Sequence, residues 1–416
     1  MGHGIVCVPR GDFATADLSL PSNVVLRLAE GARLTTCPTN TTSALININD
    51  QTNVTIVGPG TLYGNAEKYI GYYDPKDNRF QPKSPDGHRP RVVKTYNVTD
   101  LRLLDLKVEN ASDWHIHLQM SRNVLIDGVT VRGDSRFPNN DGIDPDSCVN
   151  VTIRNSVIDV ADDGICPKAT KAFGPLRGLH VHNCTIRSKS HAIKFGSNTD
   201  AEMSDILFDN ITILDSNSGL AIQQRSGGDI HNVTWSNINV ETRYNAPRWW
   251  GNGEPISITA EPRRAGDTIG RTYDLKFINI TIRAENGAFI SGHAHGIQDV
   301  LFENIRLTID RWSNYSTGLG PACYAAGKNY TKIPCMGTHD RRPALRDGQA
   351  CSYYCREEAK ADGFYFENVT GAVVKNVHVE FAKQGPEWFG QCFAQDEESE
   401  ISYQSTTCVP PTSPDH

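Results

Sequence analysis

The sequence predicts an all-β fold, a right-handed parallel β-helix, and three observations carry that reading. An Asn-headed apolar unit recurs along the chain. Each unit alternates apolar and polar residues with the period-two signature of a strand buried on one face. No amphipathic helical stretch of ordinary length lies between the units. Typical units are Asn123-Val124-Leu125-Ile126, Asn150-Val151-Thr152-Ile153, Asn210-Ile211-Thr212-Ile213 and Asn279-Ile280-Thr281-Ile282. The steps from Asn123 to Asn150, from Asn183 to Asn210 and from Asn279 to Asn304 are nearly equal. They fall within the roughly 20–50 residues per repeat that, built from strands and turns, indicate a solenoid or similar array. Short strands without a blade signature select the β-helix, in which stacked coils bury a core that one coil cannot.

The recurrent Asn is expected at a turn, where it tolerates left-handed backbone and its amide can bond the next coil. Asn53, Asn97, Asn150, Asn183, Asn210, Asn232, Asn279 and Asn368 each head an Asn-x-Ser/Thr triplet, and most of these read as structural. Asn314 and Asn329 are better glycan candidates, being in loop-like sequence.

The chain of 416 residues is long enough for two or three globular domains, but a solenoid grows along one axis. We therefore read 1–416 as one β-helix domain. Its start, Ile5 to Arg10, resembles the middle of a strand unit, as in a chain truncated at the N-terminus. A Cys-rich excursion is expected over 312–358, then a further coil over Phe364–Phe381, then an irregular cap or tail over 386–416. Cys323, Cys335, Cys351, Cys355, Cys392 and Cys408 have the setting of structural disulfides, against the competing reading of a zinc site. Cys148, Cys166 and Cys184 are evenly spaced along the chain and suggest an inward column or one bridge. Disulfides and sequons together imply an extracellular protein. A net charge of −7 provides no basic footprint for nucleic acid, and no apolar run is long enough to span a membrane.

Three motifs carry chemistry: Asn139-Asn140-Asp141-Gly142-Ile143-Asp144, Asp162-Asp163-Gly164 and Ser190-His191-Ala192. A spacing near whole coils can stack such residues on one face. Carboxylates clustered with a histidine suit glycosidic hydrolysis, which needs one protonated acid and one base. Adjacent Asp residues at a turn can also be a solvated cap, so the set matters more than any member. Asp144 and Asp146 read as turn-shaping residues, and His115, His117, His293 and His295 as surface or groove residues. Trp249 and Trp250, following Arg248, either stack on sugar rings or cap a loop.

Taken in order, these motifs resemble the polygalacturonase family, glycoside hydrolase family 28, over about Ile5 to Phe381. The family's Asn-Thr-Asp-Gly-x-Asp is similar to residues 139–144, with Asn140 for Thr. Its Asp-Asp-x-x-x-x-Lys is similar to Asp162 through Lys168, and its Gly-His-Gly to Ser190-His191-Ala192. The resemblance implies an inverting hydrolase of pectic polysaccharides, monomeric and needing no cofactor or metal. Asp162 would be the general acid, Asp141 and Asp163 would activate water, and His191 would orient the acid or keep it protonated. Lys168 would bind substrate or balance charge. The family's Arg-Ile-Lys becomes Ala221-Ile222-Gln223, leaving Lys194 and Arg225 as replacement cations beside the possible sugar platforms Trp249 and Trp250. That departure leaves rhamnogalacturonan or another polymer open beside galacturonan. It is also the best support for a non-catalytic carbohydrate-binding solenoid. A calcium-dependent lyase using Asp141, Asp144, Asp162 and Asp163 is the third reading.

Overall fold

The computed structural model describes residues 4–38, 43–75, 78–83, 89–245, 249–262, 267–292, 295–310, 312–313, 361–382 and 389–411. Cys323, Cys335, Cys351 and Cys355, the sequons at Asn314 and Asn329, Arg248 and His293 lie outside the described residues. The chain divides into two compact units, Met1–Ser188 with Asp200–Ile211, and Lys189–Thr199 with Thr212–His416. Both are built as a right-handed parallel β-helix.

In the first unit, Val24–Leu28, Thr52–Val57, Thr99–Leu104, Arg122–Asp127 and Val149–Arg154 pair in parallel, coil on coil. Their register stacks Val24, Val54, Leu101, Val124, Val151 and Leu179 into one column. Every member of that column is buried. A second sheet takes in Ala44–Asn49, Arg91–Tyr96, Ile116–Gln119 and Ile143–Asp146, again parallel. An antiparallel ribbon, Ile70–Asp74 with Arg79–Pro82, interrupts the coils.

The turn residues behave as their chemistry predicts. Asn123 and Asn150 have φ of 53° and 59°, the left-handed region that Asn tolerates. Asn150 Nδ2 donates to Asn123 Oδ1 at 2.8 Å, and Asn210 Nδ2 to Asn183 Oδ1 at 2.8 Å. These sequon amides thus serve a ladder that runs from coil to coil.

The second unit carries longer strands, Ile230–Thr242, Thr272–Ala284 and Ile297–Ile309, in parallel register. Inside them Trp235 stacks on Phe277 at 4.4 Å, and Phe277 on Phe302 at 5.0 Å. A further sheet begins His191–Phe195, Ser218–Gln224, Ile256–Ala260. Phe364–Glu367 and Ala372–Phe381 supply the coil expected there.

Residues 389–411 hold more order than the irregular tail expected. Phe393–Gln395, Ile401–Gln404 and Thr407–Val409 extend both sheets, and Cys392 is disulfide-bonded to Cys408. These last strands are largely exposed, so they lack the apolar alternation by which a strand is read from sequence. Cys148, Cys166 and Cys184 are buried thiols and form no bridge.

Candidate active site

The carboxylates sit where the strand Ile143–Asp146 meets the next coil. Ile143 bridges Ile165 and Asp146 bridges Lys168, so both pairs share one offset. Gly142 N–H donates to Asp163 O at 2.9 Å, and Ile143 N–H to Gly164 O at 3.0 Å. A Cβ on Gly142 would lie 2.3 Å from Gly164 O, so this close approach requires glycine. The same offset sets Asp141 against Asp163 and Asn140 against Asp162.

Asn140 is fully buried and ties the two coils together. Its Oδ1 accepts from Ala161 N–H at 2.8 Å and Asp162 N–H at 3.1 Å, while Nδ2 donates to Asp134 O at 3.0 Å. Asp162 Oδ2 accepts from Asn139 N–H at 3.1 Å, and Asp162 Oδ1 from Asp163 N–H at 3.0 Å. Asn139 is held in turn by Arg89, whose Nη2 donates to Asn139 Oδ1 at 2.9 Å.

Asp141, Asp144, Asp162, Asp163 and Lys168 are all buried, none more than 5% exposed. Burial, reinforced by the charges of Asp144 and Asp162, pushes Asp141 well above the usual carboxylate range. Burial also raises Asp144, against the pull of Lys168, to about 6. Lys168 Nζ lies 3.0 Å from Asp144 Oδ1 and 4.0 Å from Asp141 Oδ2. Burial alone would lower its pKa, but the Cys166 sulfur and the carboxylates of Asp144, Asp141 and Asp163 outweigh it and hold the ammonium charged. The three carboxyls around this one cation, Asp141, Asp144 and Asp163, favour retention of a proton among them.

His115 and His117 are enclosed rather than at the surface. His115 Nε2 lies 3.2 Å from Ala111 N–H, which it accepts when Nδ1 carries the proton, and Nδ1 then donates to Asp141 O at 3.0 Å. His117 Nδ1 faces Arg91 Nη1 at 2.6 Å, and its Nε2 is 3.5 Å from Asp146 Oδ2. Burial lowers both rings to about 4, so both are neutral. Asp146 is likewise buried, but contacts from His117 and Thr170 outweigh burial and keep it below the usual range.

The second unit holds the other sequence-predicted residues. His191 is fully buried, with Nδ1 3.1 Å from Ser190 Oγ. Lys194 pairs in register with Ala221, the first position of the altered Arg-Ile-Lys motif. Arg225 N–H donates to Thr199 Oγ1 at 3.0 Å. Trp249 is 2% exposed and offers little ring surface, whereas Trp250 is partly exposed and its carbonyl accepts from Asn217 Nδ2 at 2.6 Å.

A profile of "Glycosyl hydrolases family 28" matches residues 4–308. The chain belongs to that family. This family 28 hydrolase cleaves O-glycosyl bonds and is similar to pectin-degrading enzymes. An endo-polygalacturonase of Pectobacterium carotovorum is 24% identical over 326 residues, covering 72% of this chain and 78% of that one. Among solved structures, a Yersinia enterocolitica family 28 exopolygalacturonase gives a TM-score of 0.64 at 18% identity, covering 98% of this chain and 73% of that one. A Thermotoga maritima exopolygalacturonase gives 0.60 at 21% identity, covering 74% and 80%. At these identities the two structures attest the fold.

The donor set of this family 28 hydrolase does not fit calcium. Asp141, Asp163 and Cys166 each present an atom within 4.8 Å of the others. Calcium takes about 6–8 oxygen ligands, a sulfur is a poor one, and the Lys168 ammonium already stands among these carboxylates. Sequence reasoning missed Arg89 altogether and gave Asn140 no role beyond departing from the family pattern. An Asn in place of the family's Thr was the available signal for Asn140.

Proposed function

We propose that this family 28 hydrolase cleaves the backbone of an acidic pectic polysaccharide outside the cell, acting as a monomer by single displacement with inversion. The carrying observation is the pairing of Asp141 with Asp163, whose carboxylate oxygens lie within 4.8 Å of each other, on the turn that also holds Asp162. Two such oxygens can grip one water between them. Asp162 then protonates the leaving oxygen from the other side of the sugar, and water attacks as the bond breaks.

Burial holds Asp141 and Asp144 above the usual carboxylate range, which keeps a proton available within the set. Asp162 gives its proton to the leaving oxygen, Asp141 and Asp163 take the one lost by the attacking water, and His191 orients the acid or shuttles a proton to it. Lys168 balances the carboxylates. Lys194, in register with Ala221, and Arg225 replace the missing motif cations, and Trp250 supplies a sugar contact. The Cys392–Cys408 disulfide supports an extracellular setting.

Reducing-sugar release from polygalacturonic acid, rhamnogalacturonan, xylogalacturonan and neutral glycans tests the reading. Wild type is run beside Asp162→Asn, with ultraviolet absorbance followed for lyase products. Release from an acidic polymer, lost in the variant and without absorbance gain, is expected. Full activity in Asp162→Asn would remove it as the acid, and retention of anomeric configuration by NMR would overturn the single displacement.

A further inference from the structure

We propose that Lys94 forms a subsite for a uronate carboxylate on the N-terminal side of the candidate active site. This inference rests on the pectic reading above and names the group recognised at one position of the same cleft. Strand register sets Asn47, Lys94, His117 and Asp144 in one row across the sheet. The alternate residues Ile46, Val93, Ile116 and Ile143 fill the core, so the row faces away from it. Lys94 therefore lies two strands from Asp144, roughly 10 Å at the usual strand spacing. A glycan laid across the strands from Asp144 passes His117 and then Lys94.

The neighbouring cations are already engaged. Arg91 meets Asp113 Oδ2 at 3.3 Å, lies 2.6 Å from His117 Nδ1 and covers the Trp114 ring. Arg89 is spent on Ser112 O, Pro138 O and Asn139, and Lys168 on Asp144. Lys94 differs. Its Nζ reaches Ser43 Oγ at 3.5 Å, and among the described residues it makes no ion pair. It is partly buried, and burial with the nearby Arg91 charge lowers its pKa. A half-desolvated cation beside a second cation, without a carboxylate of its own, favours a bound anion.

The full-length Asp162→Asn protein is titrated calorimetrically with a galacturonate oligosaccharide and with its carboxyl-reduced counterpart. Adding Lys94→Gln is expected to weaken the acidic oligosaccharide by about tenfold or more, toward the affinity of the reduced one, whose binding stays within about twofold. Adding Lys94→Arg keeps the acidic affinity within about threefold. Unchanged acidic binding in Lys94→Gln, or equal loss on both ligands, overturns the subsite while leaving the pectic reading intact. If Asp162→Asn with Lys94 in place binds neither oligosaccharide, the pectic reading fails and the subsite falls with it.

Discussion

Asn139 donates its backbone N–H to Asp162 Oδ2 at 3.1 Å, and Arg89, from an earlier coil, grips the Asn139 side chain. Arg89 also binds Ser112 O at 2.8 Å and Pro138 O at 2.9 Å, so its guanidinium fixes the loop that fixes the proposed acid. Its fork is used at three acceptors, a geometry that a lysine cannot reproduce. Arg89→Lys should lower kcat on the order of tenfold with a smaller change in KM, because misplacing a reacting group costs rate before binding. Steady-state kinetics on the active polymer check this, and a change confined to KM would contradict it.

Lys168 offers a second test, through charge. Replacing it with Met leaves Asp141, already raised by burial, without its nearest cation. The base must be ionised to take a proton, so raising its pKa removes activity from the acidic side first. The acidic limb of kcat/KM should move up by about one pH unit or more. Folding should weaken by about 3–5 kcal/mol, the usual cost of breaking a buried pair. An acidic limb that stays in place would remove Lys168 from the electrostatics of the base.

Stability should vary with pH in opposing ways. His115 and His117 are lowered to about 4, so their neutral rings favour the fold above their unfolded value near 6.5, and that contribution is lost as pH falls toward 4. Asp144 is raised to about 6, so its contribution is present below about pH 4 and is lost as pH rises through 6. Urea unfolding across this window should show a shallower acid-side loss in His115→Gln, by on the order of 3 kcal/mol. Asp144→Asn should instead steepen it, since it removes the term that opposes the histidines. Parallel curves in all three proteins would contradict these assignments.

The fold was legible because a solenoid prints its period in the chain: Asn123, Asn150, Asn183 and Asn210 announce the turns, and alternation announces the strands between them. The site was legible only as a set of residues. The spacing of Asp141 and Asp162 suggests that they stack, yet the bridge from Ile143 to Ile165 stacks Asp141 on Asp163 instead. Coil lengths also vary. Ile46 pairs with Val93, Val93 with Ile116 and Ile116 with Ile143, three unequal steps along the chain, the first much the longest. A nominal repeat cannot bring Lys94 into the row of Asp144, nor Arg89 to Asn139, when insertions such as the Ile70–Pro82 ribbon reset the count. Register is fixed by which apolar residues enter the core, and that is a property of the folded coil.

The asparagine ladder permits the two reasons for an Asn at a coil turn to be separated. Asn150 combines a φ of 59° with an amide donating to Asn123 Oδ1 at 2.8 Å. Asn150→Gly keeps the left-handed backbone accessible but loses the amide, an exposed hydrogen bond worth about 0.5–1.5 kcal/mol. Asn150→Ala loses the amide and also forces a Cβ into the left-handed region, adding about 1–2 kcal/mol. Urea unfolding should therefore rank wild type above Asn150→Gly, and Asn150→Ala below both. The effect should remain local, because each coil of a solenoid touches only its neighbours. Amide exchange should then quicken in Arg122–Asp127, Val149–Arg154 and Leu176–Ser188 while staying unchanged in Val24–Leu28. Equal stability in the Gly and Ala variants would mean that the backbone, despite its positive φ, imposes no demand at this turn.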